Sequence, residues 1–209
     1  CGSKLRAFEE FRGRPSAQCP ICKSLERHRL VWLLMQRKTN LLDGKPKKML
    51  HVAPGCQFVP KFNQIPSLDD LTADLIDPGA MVKMDITDIQ YPDATFDIIY
   101  CSHVLEHVPD DRKAMHEFRR VLKPDGWALL LVPINRDATF EDPSVVTPED
   151  RLRVYGQDDH VREYGPDIVD RLREAGFQVE TRTMNEISSP QEIKRLGLQG
   201  HNILYLCRH

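Results

Sequence analysis

Aspartates, histidines and cysteines are the residues of this chain whose placement suggests chemistry. Asp74 and Asp85 each close an apolar stretch, in "LTADL" and "VKMDI". A short acid at the end of a strand can accept both hydroxyls of a ribose. An Asp followed by a backbone N–H can read the edge of an adenine, and Leu75 and Ile86 come directly after the two acids. Upstream, "HVAPGCQF", 51 to 58, reads as the end of a strand running into a tight turn. Gly55 there would let the backbone approach a ligand closely. A nucleotide-holding turn usually has two or three glycines, and this one has His51, Ala53 and a single Gly55.

Three histidines could take a proton from a reacting group. Ser102 and His103 follow the apolar run "TFDIIYC", and His103 would either line a site or act as base. His107 stands in "LEHV", where a structural role at a helix start is the stronger reading. His160 lies in "YGQDDHVREYG", 155 to 165. That polar stretch also concentrates Tyr155, Arg162 and Tyr164, with Arg136 upstream. An Arg there could pair with an anionic acceptor; a helix-capping loop with surface charges is the alternative.

Cys19 and Cys22, in "CPIC", have the spacing of a metal knuckle. Cys1-Gly2 looks like the tail of an earlier knuckle, which makes Cys1 a third ligand. Thiolates in tetrahedral geometry favour a structural Zn²⁺, with three free thiols as the alternative. A catalytic zinc is not expected, because no water-activating acid accompanies the cysteines.

The elements that must position these residues alternate. A helix is expected over 24–38, a linker at "DGKPKK", a strand over 48–53 and a short helix over 58–64. Strands follow at 68–75, 81–84 and 95–101, then a helix at 110–122 ended by "KPDG", and a strand at 127–133. Residues 135–164 form a long polar insertion, before a helix at 165–175 and strands at 178–184 and 202–207. Such alternation implies a doubly wound α/β sheet, which binds ligands past the carboxyl ends of its strands. The two aspartates, the glycine turn and His103 all fall at such ends.

The 209 residues, 41% of them hydrophobic, suit one globular domain with a small appendage. No apolar run approaches the roughly 18 residues of a membrane span, and no targeting segment is visible, so a cytoplasmic location without a membrane partner is expected. The net charge of −2 conceals an asymmetry. Residues 1–38 carry nine Lys and Arg against three acids, and the rest carries twenty against twenty-eight. The division expected is a Cys-containing, helical segment over 1–38 and an α/β domain over 47–209.

The stretch "MDITDIQYPDATFDIIYCSHVLEHVPDDRKAMHEFRRVLKPDGWALLLVP" resembles the middle of the class I S-adenosylmethionine-dependent methyltransferases. It is most similar to their small-molecule group, which carries an L-E-H-V motif. "GQDDHVREYG" and "CPICKSLERHR" resemble signatures of one subgroup of it. The resemblance implies a mostly parallel, seven-stranded Rossmann-like sheet with helices on both faces. It implies S-adenosylmethionine as cofactor and S-adenosylhomocysteine as product. Asp74 and Leu75 would hold the ribose, Asp85 and Ile86 the adenine, and His51, Ala53 and Gly55 the methionine end. Ser102 and His103 would lie near the sulfonium, with His103 and His160 as candidate bases. The insertion would cover the acceptor, through Arg136, Tyr155, His160, Arg162 and Tyr164.

The function expected is methyl transfer to an O or N atom of a small molecule, by a monomer or homodimer. An RNA acceptor recognised by the basic cysteine knuckle is the alternative, and the acidic body argues against it. A non-catalytic binding protein on the same fold is a third reading.

Overall fold

The computed structural model describes residues 2–200 and 203–209. Cys1 and Asn202, named above as a metal ligand and as the start of the last strand, lie outside the described residues. The chain divides into two units. One comprises Lys47–Pro54, Asp69–Glu180 and Tyr205–His209; the other comprises the described residues of Cys1–Pro46, Gly55–Leu68 and Thr181–Leu204.

The first unit carries most of a seven-stranded sheet. Its strands are β3 (Lys47–Val52), β4 (Leu68–Asp74), β5 (Val82–Lys83), β6 (Phe96–Ser102), β7 (Leu122–Leu131), β8 (Gln178–Arg182) and β9 (Leu204–Arg208), in the order β5-β4-β3-β6-β7-β9-β8. β3, β6 and β7 run parallel, with Leu50 opposite Ile99 and Cys101 opposite Leu130. These strands read as near-continuous apolar runs because both of their faces are covered. β9 returns antiparallel against β7, so the sheet is mixed.

Helix α3 (Asp111–Val121) connects β6 to β7. Asp110 caps it by accepting from the Lys113 N–H at 2.9 Å, and Ala114, Met115, Phe118 and Val121 are buried along one face. The sequence reading placed a turn at "KPDG". The chain instead enters β7 directly at Leu122, and the register against β6 slips between Phe96 and Ile98. Gly126 sits at that irregularity, where a Cβ would meet the Asp97 carbonyl at 2.8 Å. A strand absorbs such a residue as a bulge.

The insertion is more ordered than a polar lid. Helix α4 (Pro148–Tyr155) begins at a Thr147 cap and ends at Gly156, φ 78°. Phe140 pairs with Glu163 and Ile134 with Tyr164. Helix α5 (Ile168–Glu174) then leads to β8.

In the other unit, residues expected as loop form a hairpin, β1 (Glu9–Phe11) with β2 (Arg14–Gln18). Arg12 and Gly13 both have positive φ, 50° and 76°, as a two-residue turn matching the strand twist requires. Helix α1 (Glu26–Lys38) buries Leu30, Val31, Leu34 and Met35. Phe62, on the short α2 (Val59–Phe62), stacks on Phe58 at 5.4 Å. Two short helices, α6 (Met184–Ile187) and α7 (Pro190–Arg195), complete the unit. Arg29, in the "ERHR" segment, donates to the carbonyls of Ala17, Ser24, Leu196 and Gly197 and lies over the Phe8 ring. It is a clamp within this unit, and burial lowers its pKa to about 10.

Candidate active site

A cleft of about 580 Å³ opens at the carboxyl ends of β3, β4 and β6. Val52 and Ala53, Asp74 to Ile76, Met84 to Thr87, and His103 and Val104 line one side of it. His107 to Asp110 and Asp159 line the rest. Six of the residues expected to hold a cofactor or base therefore share one cavity: Ala53, Asp74, Leu75, Asp85, Ile86 and His103.

Both aspartates are aimed by their own turns. Asp74 Oδ1 accepts from the N–H groups of Ile76 and Asp77, at 2.7 and 2.8 Å. Asp85 Oδ1 accepts from the Thr87 N–H and hydroxyl, both at 2.8 Å. Each turn fixes one carboxylate oxygen and so orients the second. Between the acids lie Leu75 and Ile76, 51% and 87% exposed. Large apolar side chains this open, beside oriented acids, suit a flat heteroaromatic ring whose rim carries polar groups.

Ala53 and His103 both line the cleft and both have positive φ, 47° and 57°. A non-glycine residue there is strained, and such strain gathers at functional sites. Ala53 is anchored by its N–H to the Ala73 carbonyl at 2.8 Å, and His103 by its N–H to the Leu131 carbonyl at 2.9 Å.

The histidine end is a linked set. His103 Nδ1 lies 3.2 Å from Glu106 Oε1, and Glu106 is 1% exposed. His107 Nδ1 lies 3.2 Å from Asp159 Oδ2. The rings of His107 and His160 meet edge to face, centroids 4.6 Å apart. Burial, and then His107, hold His160 below the ordinary histidine pKa. Sequence reasoning gave no role to Glu106 or Asp159. The signal for Glu106 was an acid beside His107 in an otherwise apolar "VLEHV".

Several expected site residues lie outside the cleft lining. His51 is buried within β3, its Nδ1 3.4 Å from Asp70 Oδ2 and its ring against Tyr100. It is outside the cleft lining, because its place in the strand faces the core. Gly55 belongs to the other unit, and its φ is not positive. The left-handed position of the turn is taken by Ala53. Ser102 pairs in register with Leu131, and the chain enters the cleft one residue later.

The proposed acceptor residues are largely framework. Arg162, 3% exposed, donates to the carbonyls of Leu105, Val108 and Pro109 and to Glu141. The Tyr164 hydroxyl donates to Asp111 Oδ2 at 2.6 Å, and the Tyr155 hydroxyl accepts from the Asp142 N–H at 2.9 Å. His160 is buried behind His107 rather than lining the cleft. Arg136 pairs with Glu163 at 2.6 Å and lines a separate, open hollow. A polar residue in an insertion reads as functional in sequence. Here burial turns Arg162, Tyr164 and Tyr155 into partners that satisfy other groups, while Arg136 is held by a surface ion pair.

Residues 63–130 match the family described as a methyltransferase domain. The ubiquinone biosynthesis O-methyltransferase of Thiobacillus denitrificans is 34% identical over 91 residues, 42% of this chain and 39% of that protein. The chain thus spans less than half the length of that curated relative. The Burkholderia thailandensis 1,6-didemethyltoxoflavin-N1-methyltransferase, solved with S-adenosylhomocysteine, shares the fold at a TM-score of 0.57 and 16% identity, covering 88% of this chain and 77% of that one. The cyclase SpnF shares it at 0.58 and 15% identity, covering 97% and 86%. Residues 63–130 thus carry a methyltransferase-domain match, and the solved neighbours share the fold of the chain.

Proposed function

We propose that the chain transfers a methyl group from S-adenosylmethionine to a small-molecule acceptor, at a hydroxyl oxygen or an amine nitrogen. The observation that carries this reading is the pair of turn-oriented aspartates, Asp74 and Asp85, flanking exposed Leu75 and Ile76 in one cleft. Asp74 takes the ribose hydroxyls and Asp85 the adenine edge, with the apolar pair against the base. The sulfonium is already an electrophile, so the cofactor brings the chemistry and the protein brings alignment.

A hydroxyl acceptor must also lose a proton. His103 is the residue placed for that. Glu106 faces its Nδ1, which favours the tautomer with the proton on Nδ1 and leaves Nε2 to accept one. Incubation with S-adenosylmethionine and a panel of hydroxyl- and amine-bearing small molecules tests the reading. S-adenosylhomocysteine should form with at least one acceptor class. Formation no faster than in protein-free blanks across the panel would count against it.

The structural zinc is a second part of the proposal. Cys19 and Cys22 bracket a tight turn in which the Lys23 N–H donates to the Cys19 carbonyl at 3.0 Å and the Cys19 N–H to the Ser24 carbonyl at 2.9 Å. Burial raises the Cys22 thiol, but hydrogen bonds with Ser24 and Cys19 outweigh it and bring the pKa to about 7. A thiol of this kind fits a Zn²⁺. Metal analysis of purified protein should give about one zinc per chain, and a zinc-free folded sample would remove it.

A further inference from the structure

We propose that Glu106, His107 and His160 bind one divalent first-row transition-metal ion at the acceptor end of the cleft. Its open positions would take an oxygen of the acceptor. This last step rests on the methyltransferase reading; the ion site itself does not.

One ligand atom from each of the three side chains lies within 4.8 Å of the others. Two of the three are neighbours in the turn Leu105–His107, and the third comes from the insertion. The backbone holds them together. The Val161 N–H donates to the Glu106 carbonyl at 2.9 Å, and Arg162 binds the carbonyls on both sides of that turn. The buried Arg162 thus has a purpose that its sequence position hid: it brings His160 to the L-E-H-V turn.

The second observation is Glu106 itself. One of its oxygens faces His103, and the other, Oε2, is fully buried with no hydrogen-bond partner among the described residues. A buried, unpaired carboxylate oxygen is costly. A cation between it and the two imidazoles removes that cost. His107 is also prepared as a ligand, because Asp159 lies 3.2 Å from its Nδ1 and so leaves Nε2 to take the ion, the carboxylate–histidine arrangement that orients metal-bound imidazoles.

Two nitrogens and one carboxylate suit Zn²⁺, Mn²⁺, Fe²⁺ or Co²⁺ better than Mg²⁺ or Ca²⁺. Bond lengths of about 2.0–2.2 Å put neighbouring ligand atoms about 3 Å apart, so the cluster contracts slightly on loading. Of the three ligands His107 lines the cleft, with Glu106 and His160 buried beside it, so an acceptor oxygen would reach the ion from the His107 side. An acceptor hydroxyl bound there would have its pKa lowered. Its proton passes to His103 Nε2 as its oxygen attacks the methyl carbon. The C–O bond forms, the C–S bond breaks, and the electron pair stays on sulfur.

The test is Mn²⁺ binding, by paramagnetic resonance of the free ion and by calorimetry, since thiolates compete poorly for that ion. The wild-type chain should bind about one Mn²⁺, roughly in the micromolar range. E106Q should weaken binding at least about 30-fold, and D159N, at an exposed position, roughly 10-fold. Both variants should keep their affinity for S-adenosylhomocysteine, which also shows that they are folded. No saturable Mn²⁺ binding, or binding undiminished in both variants, would overturn the site. Mn²⁺ binding without S-adenosylhomocysteine binding would leave the site standing and remove the methyltransferase reading instead.

Discussion

Ala53 carries a backbone conformation that glycine would hold without strain, φ 47°. An Ala in the left-handed region costs about 1–2 kcal/mol, and glycine returns part of that as unfolded-state entropy. Ala53→Gly should therefore raise stability by about 0.5–1 kcal/mol in urea unfolding, and no gain would mean that the turn is not strained there. Asp74→Ala removes a charged hydrogen-bond acceptor worth about 1.5–3 kcal/mol, so affinity for S-adenosylhomocysteine should fall roughly 10- to 100-fold in calorimetry. His103→Gln should slow turnover of a hydroxyl acceptor by roughly 10²-fold or more, with cofactor affinity unchanged. Asp74, Asp85 and His103 were legible because their position at strand ends implies their environment. His51 was not, because its place in a motif does not tell which face of β3 it takes.

At the scale of elements, the insertion is a brace. Arg162 and Arg171 share Asp111 and Glu141, and the Tyr164 hydroxyl joins them at Asp111, in a mostly buried network. Removing one partner of a buried pair costs about 3–5 kcal/mol. Arg162→Met should lower the melting temperature by roughly 6–20 °C, and a shift within a degree would show that the network contributes little. The same network sets a pH dependence. Burial raises the Glu141 pKa, but Arg171 and Arg162 outweigh it and hold the carboxyl below the ordinary range. A carboxylate depressed in the fold contributes stability above its unfolded pKa of about 4.3, and that contribution is lost as pH falls through the lower folded value. Glu141→Gln should thus reduce the acid sensitivity of unfolding below about pH 4.5. The alternation of strands and helices was legible from apolar periodicity. The β1–β2 hairpin was not, because its strands are mostly exposed and polar. Nor was the early start of β7, where pairing with β6 overrides the turn chemistry of Lys-Pro-Asp-Gly.

For the whole molecule, the sequence places a basic segment before an acidic body. In the structure, the described residues of 55–68 and 181–204 group with that segment. Contacts so distant in sequence leave no local pattern to read. Among the described residues no helix is long and apolar enough to cross a membrane. A ligand that binds only the folded chain stabilises it by about 2.7 kcal/mol at one hundred times its dissociation constant. Saturating S-adenosylhomocysteine should therefore raise the melting temperature by roughly 5–10 °C.

The central claim is that Asp74 and Asp85 frame a cofactor cleft. Calorimetric titration of S-adenosylhomocysteine into the folded wild-type chain and into Asp74→Ala tests it most directly. The account predicts one site per chain with roughly micromolar affinity, weakened in the variant. No heat of binding in the wild type, or equal affinity in both proteins, would contradict it.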